Sequence, residues 1–375
     1  MAGPAQMKSY TFGVCIGPVD ATGRTDQELY RSFVADAAFA LQLGFHGVWA
    51  LEHHFSDYYP TPSPLLALSN IAGRFPRAEL GTMVIVAPWH QPLRLAEEIA
   101  MLSLLSEGEL HLGLGRGSAA SEYEAFGMDL DESRDRFREV VEIVQLGLSG
   151  KPFDYDGRYY KVPRKVEIRP RADCSRIHLY GAISSPGSAV IMAQLGLPPF
   201  CNALRPMQMH RDVLAKWSAT KAQTERPIES TKLLQAHLII ADTDDEAIRL
   251  GRAELPRFFQ AQVEHYAADL ADYDHLKTYE FRKMHQMREF LSDPDNLDEF
   301  MSLQLIGSPE TIRRRLQAYI DLGFNKFVVT TNTPDIPRAR RHQWLTRFAR
   351  EAMPDFAATA SAPAATGRSR SVVSG

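Results

Sequence analysis

The run Val48-Trp49-Ala50-Leu51-Glu52-His53-His54-Phe55 ends an apolar stretch on an acid and two adjacent imidazoles. Imidazole titrates nearest neutral pH, so such a run suits proton transfer or metal binding. Side chains on a β-strand alternate between faces. His53 then shares a side with Trp49 and Leu51, and His54 with Ala50 and Glu52. Only one ring at a time can face a given pocket. That argues against a two-histidine metal clamp, which needs both rings on one side, as in an i, i+4 helical pair. No metal site is expected. His53, at the C-terminal end of a buried strand, reads as a base or proton donor at the mouth of a barrel. The alternative is a hydrogen-bonded histidine of the core or a loop.

A second segment with chemical potential is Leu112-Gly113-Leu114-Gly115-Arg116-Gly117-Ser118. Glycines at a strand's end let a ligand approach the backbone, and the forked guanidinium of Arg116 suits a phosphate. The spacing is not GxGxxG, and the next helix is expected only from about Glu132, so a dinucleotide fingerprint is set aside. Arg134 falls in the first turn of that helix, where a cation opposes the helix dipole unless an anion sits beside it. Ser184-Ser185-Pro186-Gly187-Ser188 precedes another helix and offers hydroxyl and N–H donors for an anion, although serine caps helices without any ligand.

The elements that must position these residues alternate between strand and helix. Strands are expected at Tyr10–Ile16, Gly47–Leu51, Leu80–Ala87, Glu109–Leu114, Ile177–Tyr180, Pro198–Asn202, Leu233–Ile240 and Lys326–Thr330. Helices are expected between them, the first running from about Gln27 to Leu43 with Asp26 as its cap and Gly44 closing it. Repeated β-α units favour parallel strands with crossover helices, and eight is the number that closes a TIM barrel. Two stretches break the repeat. Lys151–Arg169 reads as a hairpin-like excursion, and Asp244–Ser302 as a helical insertion at the barrel mouth, rich in Phe258, Phe259, Tyr266, Tyr279, Phe281, Met284 and Met287. A connection that long in a compact domain suggests a lid. Residues 1–353 are expected to form one barrel domain, and the Ala/Ser/Thr/Arg-rich 354–375 a disordered tail.

Composition removes several classes of function. A net charge of −4 over 375 residues, with no polybasic arm, gives no pull towards nucleic acid or anionic lipid. No apolar run approaches the roughly 18 residues of a membrane span, and residues 1–8 lack the apolar core of a signal peptide. Three scattered cysteines suit a reducing cytoplasm better than a disulfide framework.

Several segments, in order and at matching intervals, resemble the bacterial luciferase-like flavin-dependent monooxygenases, the α subunit of bacterial luciferase among them. They are Trp49 with Leu51-Glu52-His53-His54-Phe55; Gly81-Thr82-Met83-Val84-Ile85-Val86 with His90, Pro92 and Ala96-Glu97; and Leu112–Gly117 with Phe126-Gly127 and Asp131, Ser133 and Arg134. The likeness covers about Tyr10 to Met353. It implies a TIM barrel with insertions that binds reduced FMN at its C-terminal mouth. His53 falls at the catalytic histidine, and Arg116 and Arg134 at phosphate-contacting arginines. Ser184, Ser185 and Ser188 fall near the phosphate, and Met83–Val84 at a non-prolyl cis peptide beside the isoalloxazine. Gly115 stands where luciferase has a reactive cysteine, and Ser184 where a glutamate approaches the phosphate.

The activity implied is a two-component monooxygenase. Reduced FMN from a separate NAD(P)H:flavin reductase would react with O₂ through a C4a-(hydro)peroxyflavin to oxygenate a small, largely apolar organic substrate. A homodimer pairing through Pro64–Ala72 and Pro92–Leu105 is also implied. Two alternatives stay open: a deazaflavin (F420)-dependent oxidoreductase on the same barrel, and a non-catalytic flavin-binding or partner subunit. Aldehyde oxidation, Baeyer–Villiger insertion, epoxidation and hydroxylation are not separable from sequence, because the substrate lies under variable loops.

Overall fold

A computed structural model describes residues 10–19, 23–267, 294–334 and 336–356. Eight parallel strands close a barrel: β1 (Thr11–Cys15), β2 (Gly47–Ala50), β3 (Glu79–Val86), β4 (Leu110–Gly115), β7 (Ile177–Ala182), β8 (Pro199–Asn202), β9 (Leu233–Ile240) and β11 (Lys326–Thr330). Each pairs with the next in that order, and β11 returns to β1 in register, Thr11 opposite Lys326 and Cys15 opposite Thr330. Because every barrel strand runs the same way, all their C-terminal ends open on one mouth, where barrel enzymes build their sites.

Local sequence explains the helices that flank this barrel. Helix α1 (Asp26–Gln42) starts on a capping box in which Thr25 and Glu28 satisfy each other's backbone N–H groups. The cap is therefore Thr25 rather than the expected Asp26, since only the residue before the first turn can turn its hydroxyl back onto the third helical N–H. Gly44, at φ 90°, ends the connection as expected. Helices α2 (Pro64–Ala72) and α3 (Pro92–Leu105) both begin on proline, whose fixed φ suits a first turn.

Trp49 occupies the barrel interior with Cys15, Tyr180, Phe200, Leu233 and Val328. Any side chain on Gly13 or Gly81 would collide with the Trp49 indole, so these two glycines make room for it. At the opposite, N-terminal end, the Lys326 ammonium pairs with Glu79 at 2.7 Å and closes the floor. A second apolar layer, including Val14, Val48, Leu80, Leu112 and Val329, lies between the strands and the helices.

The expected excursion at 151–169 is a two-stranded antiparallel hairpin, β5 (Phe153–Asp156) with β6 (Lys161–Val166). The described parts of 244–302 are helical, α8 (Asp244–Ala267) and a helix from Pro294 to Leu303. Tyr279, Phe281, Met284 and Met287 lie outside the described residues. A short strand not foreseen, β10 (Leu305–Gly307), follows and pairs with the last three residues of β9. The described structure runs slightly past the expected domain end: Met353–Asp355 forms a 3₁₀ turn, and the Phe356 carbonyl accepts from the Tyr10 N–H. Residues 357–375 of the expected tail lie outside the described residues. No helix among the described residues is long and apolar enough to cross a membrane.

Candidate active site

The barrel mouth holds a cavity of about 370 Å³. His53, Met83, Val84, Arg116, Arg134, Ser184, Ser185 and Ser188 all line it, although they come from four separate βα units.

Strand β2 ends at Ala50, one residue short of expectation, so Glu52 and both histidines sit in the loop beyond it. The expected separation of the two rings holds all the same. His53 faces the cavity and is buried. The His54 ring packs edge-on against Trp89 and Phe126, with Nε2 3.3 Å from Glu52 Oε1. Glu52 is a structural anchor: its buried carboxylate also accepts from the Val86 N–H and from His90 Nε2, both at 2.8 Å. Burial alone would raise its pKa, but the charge on His90 and these hydrogen bonds outweigh burial and hold it below the usual value. Burial, reinforced by repulsion from His265 and His54, pushes the His53 pKa well below its ordinary value. The ring is therefore a neutral imidazole near pH 7 and a weaker base than a free histidine, so a proton taken up during a reaction is readily returned.

The Met83–Val84 peptide is cis, at the position expected, and the β3–β4 register shifts between Thr82 and Ile85. Both side chains reach the cavity and, with Ile183, Phe200 and Ile191, give it apolar walls. A Cβ on Gly115 would run into a Val84 methyl, so valine occupies the space that a larger residue on β4 would need. The cavity does contain a thiol, Cys15, but burial pushes its pKa up to about 12 and leaves it unreactive.

At the far end, Arg116 follows β4, and Arg134 is the second residue of α5 (Ser133–Leu148). Arg116 Nη1 donates to Ser133 Oγ at 2.8 Å, and the Tyr123 hydroxyl donates to the Arg116 carbonyl, which fixes the loop between them. Across the cavity, Ser185 caps α6 (Pro186–Gln194). Ser188 Oγ accepts from the backbone N–H groups of Ser184 (3.1 Å) and Ser185 (3.0 Å). Two arginines and a helix N-terminus that line one cavity fit an anionic group such as a phosphate. The apolar walls beside them fit a planar ring, so the donor set matches a flavin mononucleotide.

Further residues complete the mouth, Phe258 and Tyr266 of the expected lid among them. A short helix, α4 (Ala120–Ala125), interrupts what was read as a plain loop, and it carries Glu122 into the wall. Helix α8 lays Phe258, Gln262, Val263 and Tyr266 over the cavity, while Tyr58 and Tyr59 flank His53. Phe259 instead packs on Phe300 in the apolar core. His265, also on α8, stands edge-on to His53 with ring centroids 4.7 Å apart. Nothing in the pattern around Glu264-His265-Tyr266 marks it, because its partner is 212 residues away in the chain.

A family model for luciferase-like monooxygenases matches residues 10–326. The chain belongs to that family. Over 341 residues it is 24% identical to the oxygenase component of a flavin-dependent trigonelline monooxygenase from Acinetobacter baylyi, covering 89% of this chain and 91% of that one. It is 25% identical over 305 residues to an alkanal monooxygenase alpha chain from Photobacterium leiognathi, covering 80% and 85%. A 37% identity to an uncharacterized Sinorhizobium fredii protein extends over only 140 residues, so the match spans 40% of that relative. Among solved structures, the monooxygenase RslO1 from Streptomyces bottropensis superposes with TM-score 0.76 at 22% identity over 92% of this chain and all of that one. The oxygenating constituent of a Pseudomonas putida 3,6-diketocamphane monooxygenase, a type II Baeyer–Villiger enzyme in complex with FMN, gives 0.70 at 20% over 93% and 99%. An F420-dependent secondary alcohol dehydrogenase also gives 0.70, at 15% over 92% and 98%, so the fold alone does not distinguish the two cofactors.

Proposed function

We infer that this protein is the oxygenase component of a two-component flavin-dependent monooxygenase, working in the cytoplasm on a small, largely apolar organic substrate. The observation that carries this is the convergence of an anion-binding pair, Arg116 and Arg134, with apolar ring walls and a buried His53 around one cavity. Reduced FMN, delivered by a separate NAD(P)H:flavin reductase, would supply the electrons that activate O₂.

The chain's own residues do the rest. Arg116, Arg134 and the N-terminus of α6 with Ser184, Ser185 and Ser188 hold the phosphate. Met83 and Val84 support the ring. His53 accepts or returns a proton at the imidazole, and α8 shields the mouth from water, which protects a reactive oxygen species from futile breakdown. Phe200, Phe258, Val263 and Tyr266 line the cavity beside Asn202, Gln235 and His237, while its two carboxylates, Glu52 and Glu122, are buried against histidines. That suits a neutral substrate.

The pairing of two identical chains belongs to the same reading. Leu66 on α2 and Met101, Leu104 and Leu105 on α3 are exposed, with Leu66 at 73%. So much apolar surface on two neighbouring helices suits a subunit contact.

The test supplies reduced FMN and O₂ and follows oxygen uptake and product together. Reduced FMN should support turnover whether a reductase or a chemical reductant supplies it, and His53→Ala should lower turnover about 10²–10⁴-fold while reduced FMN still binds. Turnover with F420 in the absence of oxygen would replace this reading with hydride transfer. A protein that binds no flavin would be a non-catalytic subunit.

A further inference from the structure

Behind His53, on its Nδ1 side, three groups converge that proton transfer does not use. They are His53 Nδ1 from the β2 loop, a Glu122 carboxylate oxygen from α4 and His265 Nε2 from α8, all within 4.8 Å of one another. Each of the three residues is more than nine-tenths buried. His53 Nδ1, His265 Nε2 and Glu122 Oε2 make no hydrogen bond among the described residues. Buried polar atoms left this way are costly. The two unpartnered imidazole nitrogens both face Glu122 through its Oε1, and the cluster calls for a shared occupant. Glu122 is a buried carboxylate whose ion partners among the described residues are these two histidines and no Lys or Arg.

We propose that His53, Glu122 and His265 form a site for a borderline divalent cation of the zinc class. The geometry is close to what such an ion requires. Donors about 2.0–2.2 Å from a tetrahedral ion lie roughly 3.3–3.5 Å apart. His265 Nε2 is 3.4 Å from Glu122 Oε1 and His53 Nδ1 is 4.0 Å from it, with all three donors within 4.8 Å of one another, so the His53 ring has to turn inward to bring its nitrogen to ligating distance. Two imidazoles and one carboxylate are a ligand set suited to Zn²⁺ and its neighbours, with a fourth position left for water.

The groups around the ligands are already arranged to support them. Ser56 Oγ lies 2.7 Å from His265 Nδ1, which fixes the ring so that Nε2 faces the site. The His54 N–H donates to Glu122 Oε1 at 2.6 Å and orients the carboxylate. Outer hydrogen bonds of this kind orient metal ligands. Tyr58 stacks on His265 at 5.1 Å and Tyr266 stands edge-on to it at 4.7 Å, so aromatic rings enclose the position.

The expectation of no metal considered only His53 and His54, and the two added ligands lie far off in the chain. Under the proposed oxygenase reading, a bound cation would take up His53 and slow turnover. The binding itself does not depend on that reading.

Full-length protein stripped with a chelator is given one equivalent of Zn²⁺, passed through a gel-filtration column and analysed for zinc. One zinc per chain is expected. Both His265→Ala and the near-isosteric Glu122→Gln should lose it or bind at least tenfold more weakly, with folding checked by circular dichroism. Should His265→Ala unfold, Glu122→Gln with His265→Gln carries the comparison. Co²⁺ in place of Zn²⁺ should give the visible absorption of a low-coordinate site in the wild type and not in the variants. His178→Ala is the control for adventitious surface binding, because that ring lies between Glu109 and Glu229 at the surface, and it should keep its zinc. No zinc on the wild type, or zinc lost from His178→Ala and kept in the other variants, would overturn the site. In that case the three groups satisfy one another through a proton or a water.

Discussion

Replacing Arg116 or Arg134 by alanine tests the anion end of the cavity without touching the reacting end. Each guanidinium offers a charge-assisted hydrogen bond to a phosphate, worth about 1.5–3 kcal/mol. At roughly 1.4 kcal/mol per decade, either loss should weaken reduced-FMN binding by about 10- to 150-fold. The two are not independent. Arg116 Nη1 also donates to Ser133, the residue before Arg134, so the double variant should lose less than the sum of the single losses. Arg116→Ala also removes that Ser133 bond, which should lower folding stability by about 1 kcal/mol and be visible in thermal unfolding. Arg116→Lys keeps the charge and loses the fork, so it should fall between wild type and alanine. The assay is an anaerobic titration with reduced FMN, repeated with reduced riboflavin, which has the ring and no phosphate. Riboflavin should be nearly indifferent to each substitution. Equal weakening of both ligands would refute the phosphate assignment, because a residue that contacts only the phosphate has no way to weaken the ring.

Three other perturbations test different parts of the molecule. Gly115→Cys should cost about 1–3 kcal/mol of stability by overpacking against Val84, and adding Val84→Ala should return part of it, with additive losses in chemical denaturation arguing against the contact. Leu104→Glu, with a charge placed on the exposed face of α3, should convert a dimer to monomers in light scattering, and a wild type already monomeric at micromolar concentration removes the dimer. Asp36 ties α1 to the last helix through Arg338 and His342. Burial alone would raise its pKa, but those hydrogen bonds outweigh burial and hold it below the usual carboxylate value. A depressed folded pKa contributes stability above the unfolded value of about 3.9 that is lost as pH falls through the folded one. Asp36→Asn should therefore cost about 1–3 kcal/mol at pH 7, less than a fully buried pair because Arg338 is over a third exposed, and the gap to wild type should close towards pH 3.

The barrel was legible because its signals are local. Short apolar runs such as Leu233–Ile240 and Lys326–Thr330 have the length and composition of buried strands, and their observed bounds match those read from sequence. Prolines at 64 and 92 fixed two helix starts for the same reason. The misses also have local causes. Leu305–Gly307 is three residues long, too short for any period to show, and becomes a strand only because β9 outruns its barrel neighbours. Ala120–Ala125 has no side-chain cap, so nothing in its sequence announces a helix start.

The site divides along the same line. Arg116 and Arg134 stand out in the sequence as a glycine-flanked arginine after a strand and a cation in a first turn, and the structure brings both to one cavity. His53 was separated from His54 by strand alternation, yet β2 stops at Ala50, and the separation is made by the loop. There, Glu52 accepts from His54, His90 and the Val86 N–H and turns the second ring away. The alternation argument thus picked out the cavity-facing ring through a mechanism the structure does not use. Glu122 and His265 illustrate the limit of such reading. Each is an ordinary residue in its own neighbourhood, and each gains chemical meaning only when α4 and α8 fold over the same loop. What makes His53 more than a buried imidazole is the pair of side chains behind it. No spacing rule connects positions 53, 122 and 265, so only the closed barrel brings them together.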